Sequence, residues 1–245
     1  MSGRHGSLFY EVVRVLSTLQ QLQTKKPPAY LLENVSPLAH RAGTKIRDEV
    51  FPHIAGIVGQ PVSFDAARAG SYAHRLRAYW SNLFQNHQFS AVMHKVDRPE
   101  GREVANILSK GWRPRPVVNT DRTPHYVVNV VGEPLRALPT IMATQGSRAF
   151  ISPRIGTVLR EGTTGVEPEH SREVNLDEKA KAMGYSASEL RSTDGLTDEE
   201  LAVILGLAMD RRAMELLFAV AESSRRGLPH SVESKECQDV PNFFS

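Results

Sequence analysis

A short apolar run that ends abruptly on a carboxylate and an amide constrains the fold of this chain more than any other feature. In "PPAYLLENV" the apolar residues are followed directly by Glu33 and Asn34. An apolar run without polar alternation is typical of a strand covered on both faces, as in the parallel sheets of α/β proteins. Ligands of such sheets bind beyond the carboxyl ends of the strands. The run therefore predicts that Glu33 and Asn34 lie at a ligand-binding rim, the alternative being that Glu33 begins a loop and pairs with a nearby arginine.

Elements with helical and strand periodicity surround this run. Apolar residues at helical spacing begin after Ser7, in the position of an N-cap, and stop at "KKPP". Residues 44–58 predict a second helix that is broken at Pro52. Next, "QPVSFDAARAG" and "RLRAYWSNLF" predict two strands that are joined by a turn at Gly70 and Ser71. Helix, strand, helix, strand, strand indicates an α/β fold.

The remainder of the chain divides by composition. We assign residues 1–84 to a catalytic α/β domain and residues 85–134, rich in Arg, His and Pro, to a small loop-rich region. Residues 135–226 return to the first domain, and residues 227–245 form a polar tail with the composition of a disordered segment. Within residues 135–226, the polar segment 156–171 predicts a loop. Two helices follow, the second spanning "LTDEELAVILGLAMDRRAMELLFAVAESSRRG" with a capping box of Thr197 and Glu200.

Composition excludes several classes of protein. The net charge of +3 and a pI of about 9.1 are compatible with a polyanionic partner but do not indicate one. Cys237 is the only cysteine, so an intrachain disulfide and a zinc site of several thiolates are excluded, and we expect no metal. No stretch approaches the roughly 20 apolar residues that span a bilayer. We therefore expect no membrane contact and a location in the cytosol or nucleus.

Paired arginines are the second feature with chemical meaning. Arg75 and Arg77 alternate on a predicted strand and therefore project to one face. Two adjacent guanidinium groups repel each other unless an anion or a strong hydrogen-bond acceptor lies between them. The alternative is an exposed strand face with Tyr79 and Trp80 packed below it.

Taken in order, several segments resemble one enzyme family. "GSLFYEVVRVL", "PPAYLLENV", "AHRLRAYWSNLF", "LRALPTIMAT", "SREVNLDEKAKAMGYSA" and "LTDEELAVILGLAMD" are together similar to the C-terminal half of a DNA cytosine-5 methyltransferase, over about residues 7–223. "AHRLRAYWSN" is especially similar to the de novo enzymes of animals. The resemblance implies the C-terminal half of a Rossmann-like, S-adenosylmethionine-dependent methyltransferase sheet, with a small inserted target-recognition domain. A eukaryotic enzyme of this kind would be nuclear.

The family flips cytosine out of DNA and methylates its C5 after a cysteine thiolate has added to C6. By resemblance, Glu33 would hold and protonate the base at N3 and contact its exocyclic amine, and Arg77 would reach O2. Arg75 and Asn34 would order the pocket.

The resemblance also implies a cofactor site and a DNA-binding region. Gly206 and Ala208 match the segment whose backbone approaches S-adenosylmethionine, although Leu207 replaces the family's Asn. Residues 85–134 occupy the position of the target-recognition domain, and its cations are suited to phosphate contacts. The candidate DNA-binding residues are Arg98, Arg102, Lys110, Arg113, Arg115 and Arg122. An ordinary solvated surface is the alternative, since acidic residues offset much of this charge.

Two family motifs are missing from the sequence. Neither the Phe-x-Gly-x-Gly cofactor loop nor the Pro-Cys dipeptide is present, and Cys237 lies in a polar segment without a preceding proline. We therefore expect methyl transfer only together with an N-terminal methyltransferase half or an intact paralogue. The alternatives are a non-catalytic DNA-binding or regulatory module and a truncated remnant.

Overall fold

The computed structural model describes residues 4–23, 25–36, 46–94, 103–114, 137–138, 140–141, 158–162, 170–192 and 195–226. The helices are α1 (Arg4–Leu22), α2 (Phe51–Val58), α3 (Asn86–Met93), α4 (Leu176–Ala182), α5 (Ala187–Arg191), α6 (Asp198–Leu207) and α7 (Arg211–Arg225). The strands are β1 (Leu31–Val35), β2 (Val62–Asp65), β3 (Leu76–Ser81), β4 (Trp112–Pro114), β5 (Val158–Arg160) and β6 (Ser171–Arg172). A π-helical turn (Ile46–Val50) precedes α2, and 3-10 turns cover Ala66–Ala69 and Val104–Ile107.

The first sheet has the strand order β1-β3-β2, with β3 antiparallel to both neighbours. The direct neighbour of β1 is β3, and the two strands are antiparallel. The prediction that β1 belongs to a parallel sheet is therefore wrong for this pair. The reason is the short connection between β2 and β3, in which Gly70 adopts a φ of 94° and reverses the chain. A short reversal produces an antiparallel pair, and β3 then lies between β1 and β2, which run in the same direction.

Helices cover both faces of this sheet. On one face Phe64 and Tyr79 pack with Phe89 of α3 and Leu217 of α7 in a buried cluster. On the other face the ring of Trp80 contacts Phe51 at the start of α2, with ring centroids 6.0 Å apart. Burial on both faces is seen in β3, where the consecutive residues Ala78, Tyr79 and Trp80 are all buried, whereas β2 alternates, with Val62 and Phe64 buried and Ser63 exposed.

The second sheet has the order β4-β5-β6 and packs in a separate buried cluster with α4 and α6. Here the predicted loop at residues 156–171 is wrong in part, because β5 lies within it. Val158 is fully buried, and its strand pairs with both neighbours. Three residues are too short a run to show strand alternation in the sequence.

Helix boundaries differ from the predictions at three points. The first helix begins at Arg4, before the predicted cap at Ser7. Pro52 does not break a helix, since it lies in the first turn of α2, where its missing N–H needs no partner. The long C-terminal helix is two helices, because Asp210 caps α7 and ends the continuity with α6. The capping box of Thr197 and Glu200 is confirmed.

The domain boundaries at residues 84 and 134 stay predictions, although contacts cross both. Phe89 of α3 packs on the first sheet, and β4 pairs with β5. The polar tail, residues 227–245, lies outside the described residues, as does Cys237. In the described part of the chain, no helix combines the length and the apolar character that crossing a membrane requires.

Candidate functional site

Strand register brings Glu33 and Arg77 together. Glu33 lies opposite Tyr79, and Val35 lies opposite Arg77, so the carboxylate and the guanidinium are diagonal neighbours on one face of the sheet. Arg77 Nε lies 2.8 Å from Glu33 Oε1, and both side chains are mostly buried, with 12% and 15% exposure. The pair is therefore an ion pair largely withdrawn from water.

Arg75 enters the same region from the turn before β3. Its backbone N–H donates to Asp65 Oδ1 at 2.8 Å, and Asp65 also accepts from Ala67 N and contacts His74 Nδ1. Burial favours a higher pKa for Asp65, but these partners outweigh it and lower the pKa, so the carboxylate stays ionised. Arg75 is 3% exposed, and its Nη1 donates to the carbonyl oxygen of Gly206 at 3.3 Å.

Arg75, Arg77 and Glu33 form one electrostatic cluster. Burial lowers the pKa of Arg75, the charge of Arg77 lowers it further, and the carboxylate of Glu33 opposes both effects. Tyr79 belongs to the cluster too: burial raises the pKa of its phenol, and the carboxylates of Glu33 and Asp210 raise it further. The phenol is therefore neutral at physiological pH.

Two polar atoms in this cluster are buried without a hydrogen bond from any described residue. They are Glu33 Oε1 and Arg75 Nε. The contact of Glu33 with Arg77 has the distance of an ion pair but not the N–H direction of a hydrogen bond, and Arg77 Nη1 donates to the carbonyl of Leu76 instead. Buried polar groups in native proteins are nearly always paired. Glu33 Oε1 is therefore an acceptor, and Arg75 Nε a donor, whose hydrogen bond a ligand with the complementary group can complete.

The other residues predicted for this site are placed differently. Asn34 is exposed, and its Oδ1 accepts from Val35 N at 2.7 Å, so the structure does not bring its amide into the cluster. Gly206 and Ala208 are half-buried at the end of α6 and beside Leu207, which is 71% exposed. Only Gly206 contacts the cluster, through Arg75.

The predicted DNA-binding residues lie mostly outside the described residues. Lys110 and Arg113 are described, at the turn before β4 and within β4. Arg98, Arg102, Arg115 and Arg122 are not among the described residues. In the described part of the chain, no group of three His, Cys, Asp or Glu side chains could hold a metal ion.

Sequence reasoning missed Asp210, which is fully buried beside this cluster. Its Oδ1 accepts from Ala213 N at 3.1 Å and its Oδ2 lies 2.6 Å from the hydroxyl of Ser71. An aspartate directly before the amphipathic pattern of α7 is an N-cap signal that the sequence does contain. Its proximity to Arg75 arises only from tertiary packing.

Comparisons with known proteins identify the fold. No family model matches the sequence, and no curated protein matches it. Two similar solved structures are the methyltransferase EhMeth of Entamoeba histolytica and the Dnmt2 methyltransferase of S. pombe. Each is 16% identical to this chain with a TM-score of 0.54, over 89% of this chain and 69% and 73% of theirs.

The chain therefore has the α/β fold of these methyltransferases, as the sequence predicts. At 16% identity the likeness concerns the fold, and the activity has to be argued from the site.

Proposed function

We propose that this chain binds a cytosine extruded from DNA and takes part in methyl transfer to C5 of that base. The observation that carries the proposal is the pair of unmatched buried atoms, Glu33 Oε1 and Arg75 Nε, in a protein with a methyltransferase fold. An extruded base can fill such a pocket because its Watson–Crick edge is no longer paired.

Cytosine complements both unmatched atoms. Its exocyclic amine is a donor for the carboxylate of Glu33, and its O2 is an acceptor for a guanidinium N–H. Thymine presents an oxygen where cytosine has the amine, and that oxygen would face the Glu33 carboxylate without a proton between them. The pocket is therefore suited to distinguish the two pyrimidines.

We assign the contacts of Arg75 and Arg77 with the base differently from what the resemblance implies. The resemblance assigns the contact with O2 to Arg77, but Arg77 is engaged by Glu33 and by the carbonyl of Leu76. Arg75 holds the free Nε–H, so we assign the contact with O2 to Arg75. Arg77 then orients Glu33, whose carboxylate accepts from the exocyclic amine of the base and holds N3 when a proton lies between the two acceptors. A guanidinium directed at O2 stabilises negative charge that develops there when a nucleophile adds to C6.

Small residues next to the pocket fit the cofactor. Gly206 has no side chain, Ala208 has only a methyl group, and the exposed apolar side chain of Leu207 lies between them. S-adenosylmethionine, when bound, supplies the methyl group as an electrophile. Gly206 and Ala208 would hold it through backbone contacts, and the carbonyl of Gly206 links this position to Arg75.

Methylation at C5 also requires a thiolate that adds to C6 of the base. We propose that the thiol and the glycine-rich cofactor loop come from an N-terminal methyltransferase half or an intact paralogue. Mixing this chain with such a polypeptide should produce methyl transfer to cytosine in DNA. Binding of cytosine without transfer in the mixture would instead support a non-catalytic DNA-binding module.

The test of the pocket is a fluorescence titration. The probe is a DNA duplex with one pyrrolocytosine opposite an abasic site, which lowers the cost of extruding the base. We expect Glu33→Gln to weaken binding about tenfold or more, because an amide loses the charge-assisted hydrogen bond. The control is Glu222→Gln, which removes a carboxylate from the exposed ion pairs with Arg225 and Arg226 on α7. Equal weakening of binding by both variants, or no weakening by either, would contradict the role of Glu33 in binding the base.

A further inference from the structure

One side of α1 carries an apolar stripe that faces solvent in the described structure. The helix packs through Phe9, Val13 and Leu16, which are half-buried. Beside them lies a row of apolar side chains with exposures between 37% and 75%, which we call the exposed stripe: Val12, Val15, Leu19 and Leu22. Steps of three, four and three residues place this row on one side of the helix. An exposed apolar row of this kind marks a surface that another apolar element covers.

Strand β1 lies at the edge of its sheet. Among the described residues it pairs only with β3, so its outer edge presents backbone groups without a strand partner. At the end of the strand, the N–H of Val35 donates to the side chain of its own neighbour Asn34 at 2.7 Å. The sequence of β1 contains no lysine or proline, the residues that commonly block an edge. This edge is therefore suited to receive another strand.

Contacts through α2 place α1 on one face of this sheet. Tyr10 of α1 contacts His53 of α2, with 3.0 Å between Tyr10 Oη and His53 Nε2. Phe51 of α2 contacts Trp80 of β3, and Trp80 is the register partner of Leu32 in β1. Helix α1 therefore lies with α2 on the face that carries Trp80. A strand added beyond β1 would extend this face and offer apolar side chains to the exposed stripe.

We propose that the outer edge of β1 and the exposed stripe of α1 are the docking surface for the polypeptide that supplies the thiol, which adds a strand beside β1. The inference rests on the proposed function, because that function requires a thiol from a second polypeptide. Glu33 lies on β1 itself, and β3 occupies the other edge of this strand. Neighbouring strands lie about 5 Å apart, so a strand on the outer edge brings its residues next to the base that Glu33 holds.

The surface favours an N-terminal methyltransferase half as the occupant. This chain covers 69% and 73% of the two similar methyltransferase structures, so those proteins contain further polypeptide around the same fold. A separate half has segments available for β1, whereas an intact paralogue already contains its own counterpart of β1. Two copies of this chain joined edge to edge at the centre of β1 would place two Glu33 carboxylates opposite each other, which destabilises a strand pair.

The test is co-expression of this chain with the N-terminal third of the S. pombe Dnmt2 methyltransferase, followed by affinity purification through a tag on this chain. We expect the fragment to co-purify. Leu19→Asp places a charge in the exposed stripe and should lower the co-purified fraction about tenfold or more. The control is Ser17→Asp, which adds the same charge at an exposed position outside the stripe. Intact S. pombe Dnmt2 should not co-purify.

Three outcomes of this experiment would overturn the inference. They are absence of the fragment from the wild-type preparation, equal capture of the fragment by wild type and Leu19→Asp, and capture of the intact enzyme as efficient as that of the fragment. Leu19→Asp without the fragment should bind the pyrrolocytosine duplex as wild type does, because the stripe lies outside the base pocket. Failure of the wild-type chain to bind the duplex would refute the proposed function instead, so the two failures are distinguishable.

Hydrogen exchange of the wild-type chain is a second measurement and needs no variant. The outward-facing amides of β1 should exchange fast in the chain alone and at least about tenfold more slowly in the complex with the fragment. Protection in the chain alone that rises with its concentration would assign the edge to a second copy. Protection that is independent of concentration would assign the edge to another segment of the same chain. Either result would overturn the inference.

Discussion

Two buried carboxylates in this protein have opposite surroundings. Glu178 on α4 has a side chain with 1% exposure, and both of its oxygens are hydrogen-bonded. Its donors are the backbone N–H and hydroxyl of Ser109, two nitrogens of Arg172 and the backbone N–H of Asn175. Glu33 in the first sheet is also mostly buried, but its Oε1 accepts no hydrogen bond from a described residue. In the sequence, Asn175 followed three residues later by Glu178 is a capping-box signal, whereas no local signal marks the surroundings of Glu33.

The difference separates a structural role from a binding role. A fully satisfied buried network rigidifies the fold, whereas an unsatisfied buried group reduces stability unless a ligand completes it. Glu178 joins the segment before β4 to β6 and α4, and Arg172 also stacks over Trp112 at 4.2 Å. Glu33 is held by the ion pair between its Oε1 and Arg77, and this oxygen accepts no hydrogen bond from a described residue. We therefore expect Glu178 to contribute to stability and Glu33 to contribute to binding.

The largest expected effect is on stability, from Glu178→Ala. Removing one partner of a buried ion pair leaves the other without its counter-charge, and the free energy of unfolding should fall by about 3–5 kcal/mol. Urea unfolding followed by circular dichroism measures it. Asp177→Ala on the same helix is the matched control, because its ion pair with Arg191 is exposed and worth less than about 1 kcal/mol. Similar losses in both variants would mean that the Glu178 network does not stabilise the fold.

The next effect is the acid dependence of stability. Burial favours a higher pKa for Glu178, but the hydrogen bonds from Arg172, Ser109 and Asn175 lower it to about 2, below the ordinary value of 4.5. A carboxyl whose pKa is lower in the folded than in the unfolded state stabilises the fold fully at a pH above its unfolded pKa. This stabilisation is lost as the pH falls through the folded pKa. The difference in unfolding free energy between wild type and Glu178→Ala should therefore shrink as the pH falls from 4.5 towards 2. If the difference in unfolding free energy stayed constant over this pH window, ionised Glu178 would not stabilise the fold more than protonated Glu178 does.

A smaller effect on stability is expected for Glu33→Gln. Glu33 has one ion-pair contact, with Arg77, where Glu178 accepts five hydrogen bonds, so replacing the carboxylate by an amide should lower the unfolding free energy by about 1–3 kcal/mol. The same variant should lose about tenfold or more in affinity for the pyrrolocytosine duplex. A stability loss as large as that of Glu178→Ala would make Glu33 a structural residue and remove the contrast.

The smallest effect on stability is expected at the proposed DNA contacts. Lys110→Ala, at an exposed turn, should leave the unfolding free energy within about 0.5 kcal/mol of wild type, and Arg113→Ala, at a half-buried position of β4, should lower it by about 1 kcal/mol. Each should nevertheless reduce the slope of log affinity against log salt concentration by roughly 0.9, since each phosphate contact releases a counterion. Titrations with a cytosine duplex at several salt concentrations measure the slope. An unchanged slope would move the phosphate contacts away from these two residues.

The sequence predicts some of these features and not others, for physical reasons. The fold class follows from local patterns, since the apolar run before Glu33 and the periodic helices each reflect burial of one element. The contact between Glu33 and Arg77 follows from strand register, which the sequence does not fix. Asp210 illustrates the limit most clearly: its role as a cap is local, whereas its charge interaction with Arg75 spans 135 residues of sequence.

The most direct test of the site compares two bases in one DNA context. The affinity of the wild-type chain is measured for duplexes that carry an unpaired cytosine or an unpaired thymine opposite an abasic site. The account predicts at least about tenfold tighter binding of cytosine, because its amine donates to Glu33 where thymine presents an acceptor. The preference should disappear in Glu33→Gln, whose amide can donate to thymine. Equal affinities of the wild-type chain for the two bases would contradict a cytosine pocket at Glu33 and Arg75.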